Sequence, residues 1–163
     1  MTSKDQLVAW LNDAYAMERS LANVLENHAK DARDHPEIQV RCEQHLAETR
    51  RHAELVERCL ALLGEKPSAL KGALGRAMGA VQGAASGMTR DEIVKNFLSD
   101  YAAEHMEIGA YLALIAAAEE LNHPEIAGIC RQILPEEEAM AEWLKARIPE
   151  ITRLSLRQLA PTT

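Results

Sequence analysis

His35-Pro36-Glu37-Ile38-Gln39-Val40-Arg41-Cys42 opens a stretch that the chain states twice. Displaced by 88 positions, the 22 residues from His35 to Val56 fall without a gap on His123-Pro124-Glu125-Ile126 through Leu144, and ten paired positions are identical. Cys42 meets Cys130, Gln44 meets Gln132, Leu46 meets Leu134 and Glu48 meets Glu136. Ala53 and Glu54 then meet Ala141 and Glu142. A unit present only twice does not build a solenoid, which needs at least three stacked copies. The repeat predicts two homologous helical hairpins packed face to face.

The surroundings agree with helices. Apolar residues make up 47% of the 163 and aromatics only 4%, with Ala, Leu and Glu dominant, a mixture that favours helix over sandwich or barrel. The length suits one domain with a full core, residues 1–163. A net charge of −7 disfavours nucleic acid and anionic membrane surfaces as partners. The N-terminal Met1-Thr2-Ser3-Lys4-Asp5 has no apolar run, so no signal peptide or membrane span is expected. Three cysteines without a close pair give neither a zinc-finger spacing nor a disulfide framework, and a reducing cytoplasm is the expected setting. Cys42 and Cys130 hold matching repeat positions and are read as buried small residues, a redox pair being the sharper alternative.

Taken in order, Ser3 with Gln6 reads as a capping box opening helix A, about 4–32, whose apolar stripe Leu7, Leu11, Ala14, Leu21, Leu25 is interrupted by Glu18. Asp34-His35-Pro36 breaks the chain and restarts it as helix B, about 36–63, closed by Gly64. The stripe of helix B carries His45, Thr49 and His52 in its middle, with Glu48 beside the histidines. The glycine-rich stretch 64–88 reads as a short helical crossover. Thr89 with Glu92 opens helix C, about 90–120, with Glu104, Glu107 and Tyr111 along one face. Helix D, about 124–148, contains Pro135 and ends at Pro149, leaving 149–163 as a tail. His35 and His123 read as helix caps, and His105 as facing away from Glu107.

Folding each hairpin about its turn brings Glu18 level with about position 50, next to Glu48 and His52, and Glu107 level with about 138, close to Glu136 and Glu137. Four carboxylates, Glu18, Glu48, Glu107 and Glu136, thus converge at one height. Carboxylates facing a core are costly unless compensated. A pair of divalent metals compensates them, and bundles build such sites from Glu and His on facing helices. Carboxylate and imidazole suit iron, manganese or zinc. Nitrogen comes from His52 or His45; Glu104 is a bridging ligand or an exposed edge residue; the repeat favours Glu136 and the apolar stripe favours Glu137. Tyr15, Tyr101 and Tyr111 read first as interior packing residues, with hydrogen-bond donation to the carboxylates as the alternative.

Asp13-Ala14-Tyr15-Ala16-Met17-Glu18, His45-Leu46-Ala47-Glu48-Thr49 and Glu104-His105-Met106-Glu107-Ile108-Gly109-Ala110-Tyr111 resemble the YciE/YciF-like branch of the ferritin-like superfamily, over roughly residues 5–147. The resemblance implies an all-α ferritin-like four-helix bundle, commonly dimeric, in bacterial proteins linked to stress and without an established activity. It therefore implies a homodimer. Relatives in the superfamily use Glu-x-x-His on both the second and fourth helices; here position 51 is Arg, and no His follows Glu136 or Glu137, so the site is expected to be poor in nitrogen. The expectation is two divalent ions, iron first, with manganese or zinc as alternatives, on Glu18, Glu48, His52, Glu104, Glu107, Glu136 and Glu137. As an enzyme it would be a di-iron oxidoreductase of ferroxidase or peroxidase type. The competing expectation is a non-catalytic dimeric stress or scaffold protein whose polar seam fixes helix register.

Overall fold

The structure is a computed structural model that describes residues 1–68 and 92–159. Among the described residues there are four α-helices: α1 (Ser3–Asp31), α2 (Pro36–Leu62), α3 (Glu92–Glu120) and α4 (Pro124–Leu159). The fold is an all-α bundle. Helix α1 packs chiefly on α2 and α3 on α4, and the two hairpins meet along α1–α3 and α2–α4. The order around the bundle is thus α1, α2, α4, α3, which puts one helix from each hairpin on either side of the central axis.

Local chemistry sets the ends of the helices. The start of α1 is a capping box on Thr2, not Ser3: the Thr2 hydroxyl accepts from Asp5 N–H at 3.1 Å and Thr2 N–H donates to Asp5 Oδ2 at 2.7 Å. Asp5 brings a charge to the positive helix start, an advantage Gln6 lacks. Helices α2 and α3 both end in Schellman motifs. Gly64 (φ 76°) and Asn122 (φ 57°) take the left-handed conformation, and the next N–H, of Glu65 or His123, bonds back to Leu60 or Ala118. A 3-10 turn, Ala32–Asp34, joins α1 to α2, and Pro36 occupies the first turn of α2. His35 stands at the cap position, but its ring makes no capping hydrogen bond.

Helix α4 departs from the expected end near 148. It runs through Pro135 and Pro149 to Leu159. Proline removes one hydrogen bond, and tertiary burial outweighs that loss here. Ile151 is 4% exposed and packs in one apolar cluster with Ile38, Phe97, Met140 and Leu144. Thr152 Oγ1 donates to the Ile148 carbonyl at 2.7 Å across the proline turn. The expected crossover 64–88 and the Thr89 cap fall mostly in 69–91, outside the described residues; at its start, Ser68 N–H donates to Asn12 Oδ1 at 2.7 Å.

Apolar clusters occupy both ends of the bundle. One joins Leu7, Leu11, Val56, Leu60, Leu114 and Ile133; the other is the Ile38–Phe97–Ile151 group. Cys130 lies in one apolar cluster with Cys59, and Cys42 lies in the other. All three cysteines are free and buried. Between the clusters lies a polar layer.

Candidate metal centre

Seven residues meet in that layer. Glu18 comes from α1; His45, Thr49 and His52 from α2; Glu104 and Glu107 from α3; Glu137 from α4. Each is at most 1% exposed. That excludes the solvated-edge reading for Glu104. Spacing explains the convergence: positions 45, 49 and 52, and positions 104, 107 and 111, lie three or four apart and so share a helix face.

The layer divides into two groups with one member in common. Glu18, His52 and Glu137 bring one ligating atom each within 4.8 Å of one another, and so do His45, Glu104 and Glu137. Glu137 Oε1 lies 2.8 Å from His52 Nδ1, off the direction of a hydrogen bond, while its Oε2 lies 3.6 Å from His45 Nε2. The same carboxylate therefore leans one oxygen toward each group. His45 Nε2 is 3.1 Å from Glu104 Oε1, and His52 Nδ1 is 3.7 Å from Glu18 Oε2. Glu107 sits among Glu18, Glu104 and Glu137, with neither of its oxygens hydrogen-bonded.

Glu48 and Glu136, the identical pair of the repeat, stand outside this layer. Their side chains are 28% and 33% exposed. Each turns to the outer nitrogen of a histidine. His45 Nδ1 lies 2.8 Å from Glu48 Oε2, which also accepts from Arg41 Nη1 at 3.2 Å. His52 Nε2 lies 2.7 Å from Glu136 Oε2, which also accepts from Arg51. With N–H on those outer nitrogens, His45 presents Nε2 and His52 presents Nδ1 to the interior. A carboxylate behind an imidazole, fixing its tautomer and orientation, is the usual support of a metal-binding histidine.

Burial without enough donors sets the electrostatics. Burial pushes the Glu18 carboxyl up to about 7, against the pull of His52, and the Glu104 carboxyl up to about 8, against His45. Burial and three carboxylate neighbours push Glu107 well above the ordinary range. For the histidines burial works against the charge, but hydrogen bonds to Glu104 and Glu48 hold His45 at about 10, and the nearby carboxylates of Glu137 and Glu18 hold His52 at about 10. Tyr111, fully buried, donates its hydroxyl to Glu18 Oε1 and leaves Oε2 without a partner. Of the three tyrosines considered, Tyr111 touches the layer; Tyr15 and Tyr101 pack against the two end clusters. His105 stacks edge-on with Tyr101 at 4.5 Å and is exposed.

Of the residues the sequence singled out, the layer contains Glu18, His52, Glu104, Glu107 and Glu137, and has Glu48 and Glu136 on its rim. His45, the alternative nitrogen, joins it as well, so the interior has two imidazoles and both come from α2. The sequence placed Thr49 on the stripe of helix B but did not single it out for the site. Thr49 is fully buried with an unpartnered hydroxyl, at the repeat position matching Glu137.

Residues 2–157 match the family described as domain of unknown function DUF892. The chain belongs to this family. A protein of Xanthomonas campestris pv. campestris is 36% identical, with 96% of this chain and 98% of that one aligned and a TM-score of 0.81. The stress protein YciF of E. coli aligns over 94% and 98% at 21% identity and a TM-score of 0.81. The bacterioferritin of Desulfovibrio desulfuricans, described with its diiron site in different catalytic states, aligns over 98% and 90% at 22% identity and a TM-score of 0.76. These likenesses give this DUF892 chain the ferritin-like bundle and the YciF-like resemblance expected of it. Among its described residues no helix is long and apolar enough to cross a membrane.

Proposed function

We propose that this protein holds two divalent metal ions, iron first, in the buried layer and serves a stress-related redox role. Glu18 and His52 would hold one ion and His45 and Glu104 the other, with Glu137 shared and Glu107 available to both. Glu48 and Glu136 would support the histidines rather than ligate. The observation that carries the reading is the set of six carboxylate oxygens, on Glu18, Glu104, Glu107 and Glu137, that are buried without a hydrogen-bond partner. So many desolvated carboxylate oxygens facing two imidazoles form a donor set for cations, and without one they are costly. The diiron site described for the D. desulfuricans bacterioferritin supports iron as the first candidate.

A redox-active metal pair, when bound, supplies the electrons for reducing O₂ or peroxide. The chain's own residues do the rest. The apolar clusters at both ends exclude water from the layer. Tyr111 fixes Glu18 through one oxygen, and the Glu48–Arg41 and Glu136–Arg51 pairs aim the two imidazole rings inward. The resemblance to dimeric relatives supports a homodimer as the working form.

The test is metal content per chain, by elemental mass spectrometry, on protein purified without chelators. Two irons or manganese ions per chain, with a thermal midpoint that rises on metal addition, are expected. A chain that takes up neither iron, manganese nor zinc, and whose midpoint none of them moves, would return the layer to a register device in a scaffold protein.

A further inference from the structure

We propose that Cys59 and Cys130 are a buried dithiol that supplies two electrons to peroxide reduced in the polar layer, closing to a disulfide between the two hairpins. The proposal rests on the redox reading of that layer and adds the source of its electrons. Helices α2 and α4 run antiparallel, for their contacts follow opposite order: Glu37 meets Arg147 at 2.9 Å, His52 meets Glu137 at 2.8 Å and Arg58 meets Glu125 at 2.7 Å. Residues seven apart share a helix face. Cys59 stands seven residues beyond His52 and Cys130 seven before Glu137, so the register that sets ring against carboxylate also sets thiol against thiol. Both cysteines are 0% exposed and belong to one apolar cluster. Each is the largest influence on the other's proton: Cys59 draws the Cys130 thiol below its ordinary value, and Cys130 pushes the Cys59 thiol up. One thiol that ionises more readily beside one that keeps its proton is the asymmetry of a reactive pair.

Cys42 shows what a cysteine used as core filler looks like here. It is buried in the other cluster, away from both of these thiols. The facing pair also has a fixed relation to the layer. Two helical turns, about 10 Å of rise, separate it from His52 and Glu137, a span that electrons cross through packed protein. Tyr111 belongs to the cysteines' cluster, and its hydroxyl donates to Glu18 in the layer, so one buried side chain touches both regions. In the reaction two S–H bonds break and one S–S bond forms, releasing two protons and two electrons. One hydrogen peroxide takes them up, its O–O bond breaks, and two waters result. With no exposed surface, the thiols do not meet the peroxide themselves; the electrons travel and the oxidant stays in the layer.

Iron-loaded and chelated protein, each starting with three free thiols, are given two equivalents of hydrogen peroxide, the first to oxidise the ferrous ions. Samples are quenched at intervals in denaturant with an alkylating agent, for thiol counting, peptide mass mapping and residual peroxide. The loaded chain is expected to lose two thiols at least tenfold faster than the chelated chain, with the Cys59 and Cys130 peptides linked and Cys42 alkylated. Cys42→Ala is expected to behave as the wild type, and Cys59→Ala and Cys130→Ala each to keep both remaining thiols. Equal rates in the two forms overturn transfer to the layer, since the thiols would then be meeting peroxide directly. A loaded chain that consumes peroxide with all three thiols intact overturns the dithiol alone. A chain that takes up no iron, or consumes no peroxide when loaded, overturns the iron redox reading and the dithiol with it.

Discussion

His52 of α2 and Glu136 of α4 are joined at 2.7 Å through the outer nitrogen of the ring, so the carboxylate that the repeat marks most strongly aims a histidine instead of entering the buried layer. This relationship separates support from ligation in a way that substitutions can read.

Glu136→Gln and Glu48→Gln should keep the fold and lower metal affinity by about 10–100-fold each, the usual effect of losing the group behind a metal-bound histidine. Glu137→Gln should abolish binding of both ions, since Glu137 is common to both groups. Titration calorimetry with Mn(II) distinguishes them. Complete loss of binding in Glu136→Gln, with Glu137→Gln unaffected, would exchange the two roles.

Glu107→Leu should make the metal-free protein more stable. Both Glu107 oxygens are buried without partners, and an apolar residue of similar volume removes that cost. A gain of about 1–3 kcal/mol, or roughly 2–10 °C in the thermal midpoint, is expected. The same variant should bind metal more weakly. A destabilised metal-free variant would mean that Glu107 has a stabilising contact in solution.

The metal-free protein should lose stability as pH rises. Glu18 and Glu104 titrate near 7 and 8 when folded against an ordinary 4.5, and His45 and His52 near 10 against 6.5. A group whose pKa is raised on folding contributes fully below its unfolded value, and that contribution disappears as pH climbs through the folded value. The carboxyl contributions are therefore lost from 4.5 through 7–8, and those of the histidines from 6.5 through 10. Glu48, lowered to about 2, acts oppositely and weakens the fold only in acid. Melting curves in chelator should fall between pH 5 and 9, and saturating metal should flatten them, because bound cations replace the protons. A chelated protein that melts highest at pH 9 would contradict these shifts.

Ile151→Ala should cost about 2–5 kcal/mol in urea denaturation, because Ile151 is buried in the apolar cluster beyond Pro149. A cost near zero would mean that the end of α4 is not docked on the bundle.

The architecture was legible because its signals are local and repeated: helical spacing, His-Pro restarts and a duplicated hairpin. For the candidate site, the sequence pointed to carboxylates and imidazoles that the structure gathers in one layer, but in a different register. Identity between repeat halves marks a shared role, and for Glu48 and Glu136 that role is to hold an imidazole from outside. The inward pair, Thr49 and Glu137, differs in residue type, so the repeat conceals it; the apolar stripe through Ile133 and Met140 pointed to Glu137 instead. Nitrogen was undercounted because it was sought on the second and fourth helices separately, whereas α2 supplies both rings. Pro149 misled for a related reason. A local rule ends the helix there, and burial of Ile151, invisible to that rule, continues it.

That both imidazoles grow from one helix has a mechanical consequence. His45 and His52 are seven residues apart, so about 10 Å of α-helical rise fixes the interval between their backbones. Sliding or splaying of the two hairpins changes how far Glu104, Glu107 and Glu137 stand from the rings, yet leaves that interval untouched. Helix α2 is a ruler with two fixed marks, and the carboxylates of α3 and α4 are the sliding jaws of the gauge.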